Sequence, residues 1–112
     1  MIYTILEYVR PDGTSPFGAW FDGLSAEAAT KIVKARIRLE QGNLSAVKWM
    51  GALGEYRIDW GPGLRIYLAR DGDHILVLFG GGTKQRQQKD IERAKSLLAA
   101  YKLEKNNLKR RH

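Results

Sequence analysis

The sequence predicts an α+β domain in which a three-stranded meander lies beside a first strand, with helices on the faces of the sheet. Three observations carry that prediction. Hydrophobic residues alternate with a period of two across residues 54–80. They recur at helical spacing in a stretch on either side of that block. Turn-forming residues mark most of the changes from one period to the next.

Taken in order, residues 2–10 (IYTILEYVR) are rich in β-branched and aromatic side chains and read as a strand. PDGTSP at 11–16 is a loop, and FGAWFDG at 17–23 reads as one or two helical turns carrying Phe17, Trp20 and Phe21. Ser25 is the expected N-cap of a longer helix, with Glu27 in its first turn, where the helix dipole favours an anion. That helix runs to about Gln41, and Gly42 is its expected terminator. Ala28, Ile32, Ala35 and Leu39, flanked by Ala29, Val33 and Ile37, give it a broad apolar stripe.

Residues 43–53 (NLSAVKWMGAL) read as a loop. GEYRIDW (54–60), LRIYLAR (64–70) and HILVLFG (74–80) then read as three strands, joined by GPG and by the hairpin pair Asp71-Gly72. From about Gln85 to Lys102 the helical period returns, with Ile91, Ala94, Leu98 and Tyr101 on one face. This divides the chain into one domain over residues 1–102 and a basic, frayed tail over 103–112 (LEKNNLKRRH).

Composition narrows the function classes. With 112 residues and 44% apolar content the chain is sized for one real core. It has no cysteine, hence no disulfide framework, thiolate metal site or cysteine nucleophile. His74 and His112 are isolated, whereas zinc sites gather three or four ligands, so no metal is expected. MIYTILEYVR has no basic segment ahead of an apolar one, and no apolar run approaches the ~20 residues of a membrane span. A soluble, cytoplasmic protein is the expectation. The net charge of +7 is uneven: residues 1–83 hold nine basic and nine acidic residues, and residues 84–112 hold ten basic and three acidic. A neutral body with a basic C-terminal quarter suits a polyanion or an acidic protein partner.

Alternation along the first two meander strands sets out a polar face. A three-residue connection over 61–63 places Trp60 opposite Leu64, Asp59 opposite Arg65, Arg57 opposite Tyr67 and Glu55 opposite Ala69. Ile58 and Ile66 then share the core face, while Glu55, Arg57, Asp59, Arg65 and Tyr67 gather on the other. A plain Asp59–Arg65 salt bridge on a solvated sheet would produce the same pattern. Two arginines on one short hairpin also suit a phosphate, which guanidinium grips with a fork of donors. The segment GGGTKQRQQKDI (80–91) follows the third strand. It fails the P-loop pattern, because Lys84 follows Gly-Thr and Gln85 follows Lys84. It still supplies Lys84, Arg86 and Lys89 at the start of a helix, whose free N–H groups attract anions.

The block EYRIDWGPGLRIYLARDGDHILVLFGGGTKQRQQKDIERA (55–94) resembles the RelE/ParE superfamily of type II toxin–antitoxin toxins, most closely its HigB-like branch of addiction-module killer proteins. The shared pattern is E-x-R-I-D, then G-P-G-[YL]-R-[IV]-Y, then a hydrophobic strand ending GG-x-K, then Q-x-x-D-I-x-x-A. The resemblance extends more loosely over residues 1–53.

It implies a small antiparallel sheet, an N-terminal strand plus the three-stranded meander, packed by an N-terminal helix pair and a C-terminal helix. It also implies an endoribonuclease, an mRNA interferase needing no metal or other cofactor, that cuts mRNA in the ribosomal A site by attack of a ribose 2′-OH on the adjacent phosphate. Arg65 matches the arginine of the transition state, Lys84 the basic residue after the last strand, and Arg57 lies near a strand position that carries catalytic lysines. Arg86, Lys89 and Lys48 are the implied RNA contacts.

The QQKDI segment lacks the tyrosine found there in RelE, and Asp59 stands where a second basic residue is expected. The general base is therefore open among Glu55, Tyr67, Asp90 and a lysine. Arginine is excluded because it stays protonated. The implied partners are an antitoxin, with a helix-turn-helix domain, in a hetero-oligomer, together with the ribosome and mRNA, and no membrane. The alternatives are a ParE-like gyrase poison without enzymatic activity and a degenerate toxin that only binds its antitoxin.

Overall fold

Helix starts follow the local chemistry of the chain. In the computed structural model, which describes residues 2–110, Ser15 caps α1 (Pro16–Asp22) by accepting from the Gly18 N–H at 2.9 Å. Pro16 sits in the first turn, where its missing N–H costs nothing. Ser25 caps α2 (Ala26–Glu40) by accepting from the Ala28 N–H at 3.2 Å. Gly42 closes it with φ +85°. Ala28, Ile32, Ala35 and Leu39 are all buried, while Val33 and Ile37 on the flank stay exposed.

Five strands form one sheet in the order β1-β5-β4-β3-β2: β1 (Thr4–Glu7), β2 (Val47–Met50), β3 (Leu53–Ile58), β4 (Leu64–Asp71) and β5 (Ile75–Gly82). Every neighbouring pair is antiparallel except β1 and β5, which run parallel. A 3₁₀ turn (Lys84–Arg86) leads into α3 (Gln87–Arg110). The architecture is α+β, as the sequence predicts.

The sheet has two buried faces. On one, Phe17 of α1 and the stripe of α2 pack on Tyr56, Leu64, Ile66, Leu68, Leu76 and Leu78. On the other, Ile91, Ala94 and Leu98 of α3 pack on Tyr8, Leu53, Ala69, Val77 and Phe79. Hence β4 and β5, the middle strands, read as nearly continuous apolar runs.

Three expectations are corrected. Residues 47–50, expected as loop, are the edge strand β2, paired with β3 across a two-residue turn in which Gly51 has φ +65°. Four residues are too short to show alternation, so the tertiary pairing alone reveals this strand. The β3–β4 register is shifted by two residues: Ile58 faces Leu64, Arg57 faces Arg65 and Glu55 faces Tyr67. The chain leaves the ladder at Asp59 because Trp60 N–H bonds to Ile58 C=O and Gly63 N–H to Trp60 C=O, with Gly61 at φ +52° and Gly63 at φ +76°. The even shift keeps each side chain on its expected face. It removes Asp59 from the set and leaves the Asp59–Arg65 bridge unmade.

Third, the last helix does not stop near Lys102 but continues to Arg110. Tyr8 OH donates to Glu104 at 2.8 Å, Lys105 reaches Asp71 at 2.6 Å, and Tyr101 OH also donates to Asp71. These anchors hold a stretch whose own sequence has little apolar period. Met1, Arg111 and His112 lie outside the described residues, and with them the end of the expected tail and the terminal histidine.

Asp71→Asn removes the charge that gathers Lys105 and Tyr101. It should weaken the distal half of α3 by about 1 kcal/mol, the upper range for a partly exposed ion pair. Hydrogen exchange should quicken at amides 101–108 and stay unchanged at 91–98. Uniform quickening along the whole helix would refute the local anchor.

Candidate functional site

Two rows of side chains cross the α3 face of the sheet. In one, Lys48, Glu55, Tyr67 and Gly80 stand opposite one another. In the next lie Arg57, Arg65 and Gly82. A bulge at Phe79 sets this alignment: Leu68 faces Leu78, but Tyr67 faces Gly80. The first turn of α3 then lies over the rows.

Glu55 is the hub, with none of its surface exposed. Arg57 Nε donates to Oε1 at 2.8 Å and Tyr67 OH to Oε2 at 3.1 Å. Gln87 Nε2 donates to both oxygens, at 3.2 and 3.0 Å. The Arg65 guanidinium lies 3.4 Å from Oε2. Burial alone would raise the Glu55 pKa, but the hydrogen bonds from Arg57, Gln87 and Tyr67 outweigh it and hold the carboxyl below its ordinary range. The same burial, with the Glu55 carboxylate beside it, pushes the Tyr67 hydroxyl far above its ordinary value.

Arg65 is also buried, at 7% exposure. Its Nη1 donates to Gly63 C=O at 2.8 Å, and its Nε is the atom that pairs with Glu55 Oε2, at 3.4 Å and outside hydrogen-bond geometry. Gly63 also touches Lys84: a Cβ on Gly63 would fall 3.2 Å from both Arg65 Nη1 and Lys84 Cβ. The Lys84 N–H bonds to Pro62 C=O at 3.2 Å. The turn between β3 and β4 is thus clasped between Arg65 and the start of the 3₁₀ turn, which brings the Lys84 backbone and Cβ against Gly63 on the Arg65 side.

Next to this hub, a cleft of about 470 Å³ opens between α1 and α3. Tyr67 and Asp90 line it, with Trp20 on the α1 side, Arg86 and Arg93 on the α3 side, and Gly80–Gly82 as the floor. The glycines are there for close approach. A Cβ on Gly81 would collide with the Trp20 ring, and one on Gly82 with the Asp90 carboxylate. GGGTK is therefore a strand end stripped of side chains. Asp90 Oδ2 is buried over Gly82 without a hydrogen-bond partner. Burial raises the Asp90 pKa, with Arg86 and Arg93 pulling the other way without prevailing.

The structure thus brings Glu55, Arg57, Arg65 and Tyr67 into direct contact, with the Lys84 backbone and Cβ against Gly63 on the Arg65 side. Arg86 and Asp90 belong to the adjoining cleft. Lys48 is exposed on the edge strand in the row of Glu55, and Lys89 lies on the outer side of α3 with Gln85 and Gln88.

Among Glu55, Tyr67 and Asp90, Asp90 alone has a carboxylate oxygen without a partner. Glu55 is held ionised and fully engaged, and Tyr67 spends its proton on Glu55. Sequence reasoning did not single out Gln87, Arg10 and Arg93, and it read Trp20 only as an apolar helix residue. Gln87 had a visible signal: it extends the stripe Ile91, Ala94, Leu98 backwards, and a polar residue on a buried stripe needs a buried partner.

Glu55→Ala leaves Arg65 buried beside no counter-charge and should cost about 3–5 kcal/mol in urea unfolding. Because the folded pKa of Glu55 is depressed, its contribution is complete above the ordinary glutamate range and is lost as pH falls through the lower folded value. Glu55→Gln should flatten that acid arm. An unaltered arm would show that Glu55 does not carry it.

No family model and no solved structure matches the chain. A Haemophilus influenzae protein described as uncharacterized is 38% identical over 86 residues, which span 75% of this chain and 87% of that protein. Identity at that level over most of both chains makes them homologues, and the chain belongs to one family with this Haemophilus protein.

Proposed function

We propose that the protein is the toxin of a type II toxin–antitoxin system and acts as an endoribonuclease on ribosome-bound mRNA. The observation that most supports this is Arg65, a buried arginine held by the Glu55 carboxylate at 3.4 Å and by Gly63 C=O at 2.8 Å, next to Arg57. A guanidinium has five N–H donors, and those of Arg65 not turned to Glu55 and Gly63 suit a phosphate oxygen. Arg57 adds charge beside Arg65, and Lys84 starts from the turn against Gly63, within the reach of a lysine side chain, where electrostatic stabilisation of a developing phosphorane is most effective.

In this reading Asp90 takes the proton from a ribose 2′-OH. The 2′ oxygen forms a bond to the adjacent phosphorus, and the bond from phosphorus to the 5′ oxygen breaks. Lys84 gives its proton to the leaving oxygen. The products are a 2′,3′-cyclic phosphate and a 5′-OH end, so atoms and charge balance. Glu55 does not react; it holds Arg57 and Arg65, and Tyr67 and Gln87 hold it. The basic residues of α3 suit ribosomal RNA or an acidic antitoxin segment, in the cytoplasm where translation runs, and such contacts weaken steeply with salt.

Brief induction followed by primer extension on translated messages tests this. Discrete, codon-linked cuts should appear. Intact messages accompanied by gyrase-linked DNA breaks would replace the nuclease with a ParE-like poison. Arg65→Ala should lower cleavage by about 10²–10³-fold, as for loss of one transition-state donor. Asp90→Asn should lower it by about 10²–10⁴-fold, the usual contribution of a positioned base. Cleavage by the unaltered protein should rise with pH through a value above the ordinary aspartate range, because the base must be ionised and its pKa is raised.

A further inference from the structure

We propose that the cleft between α1 and α3 is a nucleotide subsite, seating the ribose and base on the 5′ side of the bond that is cut. The inference rests on the nuclease reading for its orientation, but the cleft argues for a nucleotide by its own chemistry. Its volume of about 470 Å³ falls in the range that small ligands occupy. One wall is the half-buried Trp20 ring with Ala19, and the other carries the Arg86 and Arg93 guanidiniums, with Arg10 at the rim. A ligand matching both walls has a flat apolar body and an anionic group.

None of these three arginines makes an ion pair among the described residues, although Arg86 and Arg93 lie near enough to Asp90 to act on its carboxyl and Arg10 donates to the Thr14 hydroxyl at 3.3 Å. Trp20 already covers Gly81 and Asp90 covers Gly82, so the open part of the floor is Gly80, where a Cβ would meet nothing within 4 Å.

Orientation follows from the shared residues. Tyr67 and Asp90 line the cleft, and Tyr67 also bonds to Glu55 of the arginine hub. The ribose that surrenders its 2′ proton to Asp90 is the one on the 5′ side of the reacting phosphate. That nucleotide therefore lies in the cleft, with its 3′-phosphate toward Arg65 and its base against Trp20.

The test is a titration of the ¹⁵N-labelled full chain with nucleoside 3′-monophosphates and their 5′ isomers, followed by NMR. The 3′ isomers should shift the Gly80, Gly81 and Gly82 amides and the Trp20 indole, and bind about tenfold more tightly, the effect of one added charge-assisted contact. Arg93→Ala should weaken the 3′ isomers. Ala19→Phe, at an exposed position on the cleft wall, should abolish the glycine shifts while leaving the fold intact.

Equal binding of both isomers, or glycine amides that do not move, would overturn the subsite. Cut messages without glycine shifts remove the subsite and leave the nuclease standing. Glycine shifts with intact messages leave a nucleotide site and remove the nuclease.

Discussion

A carboxylate with no exposed surface must be compensated, and the arrangement of this molecule around Glu55 follows from that requirement. Three residues from three elements donate to it, and the Arg65 guanidinium lies beside it. Each is thereby fixed: Arg57 on its own strand, Tyr67 and Arg65 on the next, Gln87 at the start of α3. The ion pair is an expensive way to stabilise a core, since an apolar set of similar volume would serve as well. What it secures is placement. Arg65 is held between the Glu55 carboxylate and Gly63 C=O.

The same sheet face is divided between an apolar core and a polar cleft. Toward one end, Val77, Phe79 and Ala69 pack against α3 through Ile91, Ala94 and Leu98. Toward the other, β5 loses its side chains over Gly80–Gly82, and α1 and α3 part to leave the cleft. The bulge at Phe79 lies between the two regimes and brings Gly80 opposite Tyr67. Burial is greatest where the strands are apolar. Polar groups collect where the strand is bare: Asp90, whose pKa burial raises, lies over Gly82 with Arg86 and Arg93 along the same cleft.

Much of this was legible in the chain, and the failures are physically specific. Ser25 marks the start of α2 because capping is a local hydrogen bond, complete within four residues, whereas Ser15 and Pro16, expected in the loop, cap and open α1. The face assignments of β3 and β4 held because alternation survives an even register shift. The register itself did not, because two turn bonds at Trp60 and Gly63 draw the chain out of the ladder earlier than the GPG segment suggests. β2 was hidden because an edge strand of four residues exists only through its partner.

By itself, then, the sequence determined the α+β class, the two apolar helix stripes, the parity of the strands and the gathering of Glu55, Arg57, Arg65 and Tyr67 on one face. These depend on spacing within a single element, which the chain carries directly. Only the tertiary structure decided that Glu55 is buried and ionised, that Gln87 completes its shell, and that Asp90 lies over Gly82 with its pKa raised. Those properties arise where residues distant in sequence share one desolvated volume, and neither the electrostatics nor the close approach exists before the sheet and α3 meet.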